Sequence, residues 1–120
     1  KLPDTSVIQL PVSKAETAPK ENLVVMITNS DVLVQDVKVA SVADILNSKE
    51  PMVAALAEEL KYRASISPMA ANAQGFVERD VTILSDKNIS YNVLRKIMAT
   101  CSDNDYSRIS FGVIKGGSQS

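Results

Sequence analysis

The sequence contains no histidine, no tryptophan, one cysteine and four glycines. The lack of histidine removes the commonest general base and metal ligand, and a lone cysteine leaves no Cys pair for a zinc site. None of the glycines stands in a dinucleotide-binding or Walker spacing, so no phosphate-binding loop is expected. Serines are numerous, but the only bases are carboxylates and lysines on polar faces. We therefore expect no catalytic residues, no cofactor and no metal.

Charge and hydropathy exclude two further kinds of partner or environment. Lys and Arg number 13 against 14 Asp and Glu, which gives a net charge of −1 without a basic stripe. Nucleic acid is therefore not expected as a partner. The longest unbroken apolar run, residues 52–57, is far shorter than the ~20 residues that a membrane helix needs. A chain of 120 residues suits one domain with a core that needs no disulfide.

The strongest structural pattern lies between Arg79 and Ile114. Two apolar, β-branched runs, residues 80–85 and 108–114, flank a segment with helical periodicity. One stripe of that helix carries Val93, Leu94, Ile97, Met98 and Cys101. Strand, helix and strand predict a βαβ unit with parallel strands and a right-handed crossover. We expect the stripe to cover the strand face that carries Val81, Ile83, Ile109, Phe111 and Val113.

The ends and the outer face of this helix can also be predicted. Ser90 is suited to the N-cap position. Asn104 and Asp105 follow the helix, where a left-handed residue is often needed. Arg95 and Lys96 fall off the apolar stripe and are expected on the solvent side.

The rest of the sequence predicts three more core elements. Residues 22–28 read as a central strand that is apolar on both faces, and residues 32–39 as its hairpin partner with a bulge near Asp36. Residues 41–50 fit either a helical turn or a continued strand. Pro51 is expected to start a second helix with a Glu59–Arg63 pair on its outer face.

The resulting fold is α+β. The predicted order is β-β-α-β-α-β, with two helices packed on one face of a mixed sheet. Residues 64–78 form a long connection whose apolar side chains either pack back on the domain or contact a partner.

The predicted domain occupies residues 22–114, between an N-terminal arm (residues 1–21) and a flexible tail (residues 115–120). Prolines and charged residues disfavour regular structure in the arm. Within it, residues 7–11 form an apolar run. This run predicts either a short strand that pairs at a sheet edge, of this domain or of a second copy, or a docking segment for a partner.

The helix and the turn before it resemble the periplasmic domain of the ExbD/TolR family. In that family a strand ends in an Asp-Lys or Asp-Arg turn, and the next helix opens with an aromatic residue and carries a Val-Met pair near its centre. The matching residues are Asp86, Lys87, Ile89, Tyr91, Val93, Ile97 and Met98. The family usually has Ala-Gly before the last strand, where this chain has Asn104 and Asp105.

The resemblance implies a periplasmic domain of a single-pass inner-membrane protein that is driven by the proton motive force. Because the chain begins at Lys1, we expect a fragment or processed chain, with a membrane helix upstream that carries the family's ion-coupling Asp. The implied partners are an ExbB/TolQ-like channel subunit, a second copy of the chain, and either a TonB- or TolA-like transducer or, as for TolR, peptidoglycan.

The expected partner-binding residues are Ile8, Leu10, Pro11, Asp86 and Tyr91. In ExbD-like proteins an alternating apolar stretch that ends in Leu-Pro lies just past the membrane helix, where Ile8, Leu10 and Pro11 fall here. Asp86 is expected chiefly to satisfy backbone N–H groups of its turn, and Tyr91 to anchor the helix start while half-buried.

Strand addition along a sheet edge is the mechanism we expect. One alternative is a small-molecule or enzymatic domain with a pocket between Asp86, Tyr91 and residues 64–78. Another is a scaffold that anchors the protein to the cell wall.

Overall fold

The structure, a computed structural model, describes residues 23–114, which form five strands and three helices. The predictions made for the arm and for the tail lie outside these residues. The elements in chain order are β1 (Leu23–Ile27), β2 (Asp31–Val34), β3 (Val37–Ser41), α1 (Val42–Asn47), α2 (Ala54–Ser65), β4 (Asp80–Asp86), α3 (Tyr91–Asp103) and β5 (Arg108–Ile114). The α+β class is confirmed, with one strand and one short helix more than expected.

The five strands form one mixed sheet in the order β3-β2-β1-β4-β5. β4 runs parallel to both β1 and β5, which confirms the predicted parallel pair, whereas β2 is antiparallel to β1 and β3. β1 therefore lies at the centre of the sheet, and β3 and β5 are its two edges.

A tight turn corrects the prediction of one strand over residues 32–39. Gln35 and Asp36 have φ angles of 51° and 70°, the left-handed pair that a two-residue hairpin turn requires. The two apolar phases in this stretch therefore come from two strands, not from a bulge at Asp36. A register shift does occur, but it lies between Val32 and Leu33.

Of the two alternatives for residues 41–50, a helical turn or a continued strand, the structure has the helix, α1. The next helix starts later than predicted. Ser41 caps α1 by accepting a hydrogen bond from Asp44 N at 3.2 Å. α2 begins at Ala54, not at Pro51, and Thr100 on α3 accepts a hydrogen bond from Val53 N at 2.9 Å. The predicted Glu59–Arg63 ion pair is present, with 2.7 Å between Oε2 and Nε.

The helices cover one face of the sheet, as predicted. Side chains in register across β2, β1 and β4 point to that face and pack with α1, α2 and α3 into one core: Leu23, Val25, Ile27, Val32, Val34, Val42, Ile45, Val53, Leu56, Leu60, Val81, Ile83, Val93, Ile97, Cys101 and Tyr106. The alternate strand residues, such as Met26 and Leu84, point to the opposite face and are only half-buried.

α3 confirms most of the predicted details. Ser90 caps it by accepting a hydrogen bond from Asn92 N, and Asp105 takes the left-handed conformation after it. The prediction that Lys96 lies in solvent is wrong, since its Nζ donates to Ile45 O at 3.2 Å and to Ser48 O at 2.8 Å. Lys96 thereby fixes the end of α1 to α3.

Candidate interaction edge

β5 is a seven-residue edge strand that pairs with β4 along its whole length. Arg108 N donates to Arg79 O on the β4 side at 3.0 Å. Because the backbone groups of successive residues point to alternate sides of a strand, those of Ile109, Phe111 and Val113 turn away from β4. No strand within residues 23–114 pairs with this outer side of β5. It therefore presents a row of main-chain donors and acceptors.

The apolar side chains of these outward-turned residues are poorly covered. Phe111 is in register with Ile83, so both point to the helix side of the sheet. Ile83 is fully buried, whereas Phe111 is 51 % and Val113 45 % exposed. Our prediction that α3 covers Ile109, Phe111 and Val113 is correct for Ile109, which packs against the core, and wrong for the other two.

The position of α3 explains this exposure. α3 packs against α1 and α2, and α1 packs on β3 at the far edge of the sheet. The Lys96 flank of α3 faces α1. At 100° per residue, Leu94 and Met98 lie on the opposite flank, which faces the β5 side. Leu94 is half-buried and Met98 exposed, although both belong to the predicted stripe.

We use the name β5 groove for four apolar residues towards this edge: Leu94 and Met98 on this flank of α3, and Phe111 and Val113 on β5. It runs beside the outward-turned backbone of β5. An extended peptide that paired with β5 would place every second side chain against it. The groove thus combines an unpaired strand with an apolar surface on one side of that strand.

Asp86 and Tyr91 lie near the end of the same strand pair. Asp86 ends β4 in register with Ile114, and its Oδ1 accepts a hydrogen bond from Asn88 N at 2.8 Å. Its carbonyl oxygen accepts one from Ile89 N at 3.1 Å, which confirms the predicted role in the turn. Tyr91 is 70 % exposed, so the prediction of a half-buried anchor is wrong.

The other predicted site residues, Ile8, Leu10 and Pro11, lie outside the described residues.

Residues 64–78 lie at the opposite end of β4 from Asp86. Arg79 holds this connection by donating from Nη1 to Ser67 O at 2.7 Å, and its guanidinium stacks over the Tyr106 ring. The apolar side chains of Ile66, Met69 and Phe76 are exposed, so the first of the two alternatives, that they pack back on the domain, is wrong. The connection precedes β4 and Asp86 ends it, so the two do not line the pocket of the small-molecule alternative.

The described residues contain little that resembles a reactive or metal site. Cys101 is fully buried, and burial raises the pKa of its thiol to about 12, so it is protonated at neutral pH. Among residues 23–114, no three His, Cys, Asp or Glu side chains are grouped so as to hold a metal ion. None of the helices described is long and apolar enough to cross a membrane.

Sequence reasoning missed the exposure of Phe111, Val113 and Met98. One observation could have revealed it. A single helix joins two adjacent strands, so its apolar stripe faces their junction and the neighbouring helices, and the far side of the last strand stays uncovered. Periodicity shows which side of a helix is apolar, but not how many strands that side reaches.

Comparison with known proteins identifies the family. Residues 2–116 match the family model described as biopolymer transport protein ExbD/TolR. No curated protein and no solved structure matches the chain. The family match covers nearly all of the sequence, including the βαβ unit that carries the β5 groove. The chain therefore belongs to the ExbD/TolR family of biopolymer transport proteins.

Proposed function

We propose that this domain transmits energy from an inner-membrane motor by binding extended segments of partner proteins along β5. The family is one of biopolymer transport subunits that are anchored in the inner membrane and carry a periplasmic domain. Within that role, the proposed partners are an ExbB/TolQ-like channel subunit, reached through a membrane helix, and a TonB- or TolA-like transducer. The proton motive force is the energy source, and the role is one of binding, not of catalysis.

The observation that supports this proposal is that one strand, β5, has both outward-facing main-chain hydrogen-bonding groups and exposed apolar side chains. Ile109, Phe111 and Val113 turn their backbone outward, and two of these three side chains are about half exposed. A partner strand would gain main-chain hydrogen bonds that do not depend on sequence. It would gain selectivity from apolar residues at every second position, which would pack against the β5 groove.

A second copy of the chain is the other proposed occupant of β5. The same edge, presented by two copies related by a two-fold axis, is self-complementary. A dimer through β5 and a complex with the transducer would then compete for one edge. The transducer segment would bind more weakly at protein concentrations at which the domain is dimeric.

The test compares Phe111→Lys with Val37→Lys. Both residues lie on edge strands and on the helix side of the sheet, and their exposures are 51 % and 52 %, so the two variants carry the same change at matched positions. Removing a buried Phe contact costs about 1.5–3 kcal/mol. Phe111→Lys should therefore weaken binding roughly 10- to 100-fold.

Two measurements apply to both variants. Sedimentation velocity reports self-association, and fluorescence anisotropy reports binding of the periplasmic segment of the transducer that accompanies this chain. Val37→Lys should behave as the unaltered protein in both. The proposal fails if Phe111→Lys changes neither measurement, or if Val37→Lys changes them equally.

A further inference from the structure

The second face of the sheet carries an apolar row that no described element covers. Met26 at the centre is in register with Leu33 on one side and with Leu84 on the other. Val24 lies on the same face, two residues before Met26. All four are half-buried, and none belongs to the core beneath the helices. We call Val24, Met26, Leu33 and Leu84 the open-face patch.

This patch is unusual for a sheet of this type. Parallel strands are generally covered on both faces, and β1 is apolar on both. An antiparallel sheet with one wet face normally carries polar residues there. Within residues 23–114, the ion pairs of the open face lie towards its ends, where Lys38 meets Asp31 on one side and Arg108 meets Asp80 on the other. The apolar centre therefore fits a covering segment that is itself apolar.

The chain's own N-terminal region joins the sheet beside this patch. Residues 1–22 lead directly into Leu23, the first residue of the central strand. On one side of β1 there, Gln35 Oε1 accepts a hydrogen bond from Val24 N at 2.8 Å. On the other side Leu23 is in register with Val81 of β4. Leu23 therefore lies in the middle of the sheet's end, between two strands, and not at an edge.

The helix side of that end is already occupied. Leu23 and Tyr106 are both buried there, and Arg79 ties the end of α2 to the start of β4 through Ala64 O and Ser67 O. Only the opposite side, where the open-face patch lies, is free of packed side chains among the described residues. The interval from Leu10 to Leu23 is 13 residues, which can span up to roughly 40 Å when extended. The apolar run at residues 7–11 can therefore reach any part of the patch.

We infer that residues 7–11 of the same chain pack across the open-face patch, with Ile8 and Leu10 against Met26 and Leu84. Ile8 and Leu10 are two residues apart and share one side of an extended segment, while Val7 and Gln9 take the other. The arm then covers the face of the sheet and leaves the edge of β5 free for a partner. This inference does not depend on the proposed function, because it concerns a different surface and a different occupant.

The four methionines of the chain make the inference testable in the full-length protein. Met26 lies on the open face, Met98 in the β5 groove, Met69 in the 64–78 connection and Met52 before α2. A nitroxide attached to Gln9→Cys should broaden the methyl signal of Met26 most strongly and largely spare those of Met98 and Met69. Cys101 is fully buried and should not react with the label.

Three controls fix the interpretation. A nitroxide at Glu50→Cys, an exposed position two residues from Met52, should broaden Met52 and spare Met26. Adding Ile8→Ser and Leu10→Ser to the labelled Gln9→Cys protein should restore the Met26 signal, whereas adding Val7→Ser should not. Mixing spin-labelled protein that carries no methyl isotope with isotope-labelled protein that carries no nitroxide should leave Met26 unchanged.

Four results would overturn the inference. Stronger broadening of Met98 would place the arm in the β5 groove, and stronger broadening of Met69 would place it at the 64–78 connection. Broadening of Met26 in the mixed sample would assign the patch to a second copy. An unbroadened Met26 in the labelled protein would show that residues 7–11 do not cover this face.

Discussion

β3 and β5 are the two edge strands of one sheet, and each exposes an apolar side chain on the helix side to the same degree. Val37 is 52 % and Phe111 51 % exposed. The surroundings of the two strands differ. β3 has five residues, and its pairing with β2 contains a register shift. Lys38 on β3 forms an ion pair with Asp31 at 3.2 Å, and α1 and α2 both pack on the strand.

Apart from an ion pair between Arg108 and Asp80 at its start, β5 has none of these protections among the described residues. It has seven residues, pairs with β4 without a register shift, and leaves Phe111 and Val113 open beside α3. Short length, irregular pairing, lysine side chains and covering helices are the usual means by which proteins prevent unwanted pairing at sheet edges. One edge of the sheet is thus protected and the other is left open, which supports the proposal that partners pair with β5.

The largest expected effect is on the free energy of unfolding. It should be much larger for a residue that covers β3 than for a residue that lies along β5. Ile45 on α1 is almost fully buried, so Ile45→Ala should lower the free energy of unfolding by about 2–5 kcal/mol. Phe111→Ala should lower it by only about 1 kcal/mol, because half of the side chain is already exposed to water. Urea unfolding of the two variants measures both values. Equal losses would contradict the difference between the edges.

A smaller effect tests how α1 is held over β3. Lys96→Met keeps the aliphatic stem but leaves Ile45 O and Ser48 O without their donor, which should cost about 1–3 kcal/mol. Amide exchange should accelerate in α1 and β3 and stay unchanged in β5.

Arg95→Met is the matched control for Lys96→Met. Arg95 is exposed and donates only to Asn92 Oδ1 among its described contacts, so its replacement should change the free energy of unfolding by no more than about 0.5 kcal/mol. If the two variants exchange alike in α1 and β3, the two hydrogen bonds from Lys96 do not hold α1 in place.

The smallest expected effect is a change in the free energy of unfolding with pH. It tests whether water reaches the helix-covered side of the sheet. Burial raises the pKa of the Cys101 thiol from 9.0 to about 12. The unfolded chain therefore loses this proton above pH 9 while the folded one keeps it. The resulting contribution to stability is complete below pH 9 and declines between pH 9 and about 12.

Comparing the unaltered protein with the Cys101→Ala variant isolates the contribution of this thiol to stability. The difference in unfolding free energy between the two should shrink by about 1.4 kcal/mol from pH 8 to pH 10. A difference that stays constant over this range would mean that the thiol is accessible in the folded state.

The βαβ unit could be predicted from sequence because its elements are long and strongly periodic. β4, α3 and β5 appear within one residue or so of their expected bounds, and Ser90 and Asp105 take their expected roles. The hairpin turn was missed because Gln35 and Asp36 are not the Asn-Gly or Asp-Gly pair that usually marks such a turn.

The remaining errors arise from contacts between distant parts of the chain. Thr100 binds Val53 N across 47 residues, and Lys96 binds Ser48 O across 48; neither contact has a local pattern. A sheet edge could be proposed as the kind of site because β-branched runs reveal strands, and binding at that edge stays a prediction. The exposure of Phe111 was missed because periodicity alone does not show how far α3 reaches across the sheet.

Residue-resolved amide exchange in β5 tests the central claim most directly. In dilute protein, the amides of Ile109, Phe111 and Val113 should exchange quickly, while those of Ser110, Gly112 and Ile114, which face β4, stay protected. Raising the protein concentration, or adding the transducer segment, should protect the first three and leave β3 unchanged. Protection of all six in the dilute protein, or protection that appears in β3 and not in β5, would contradict the account.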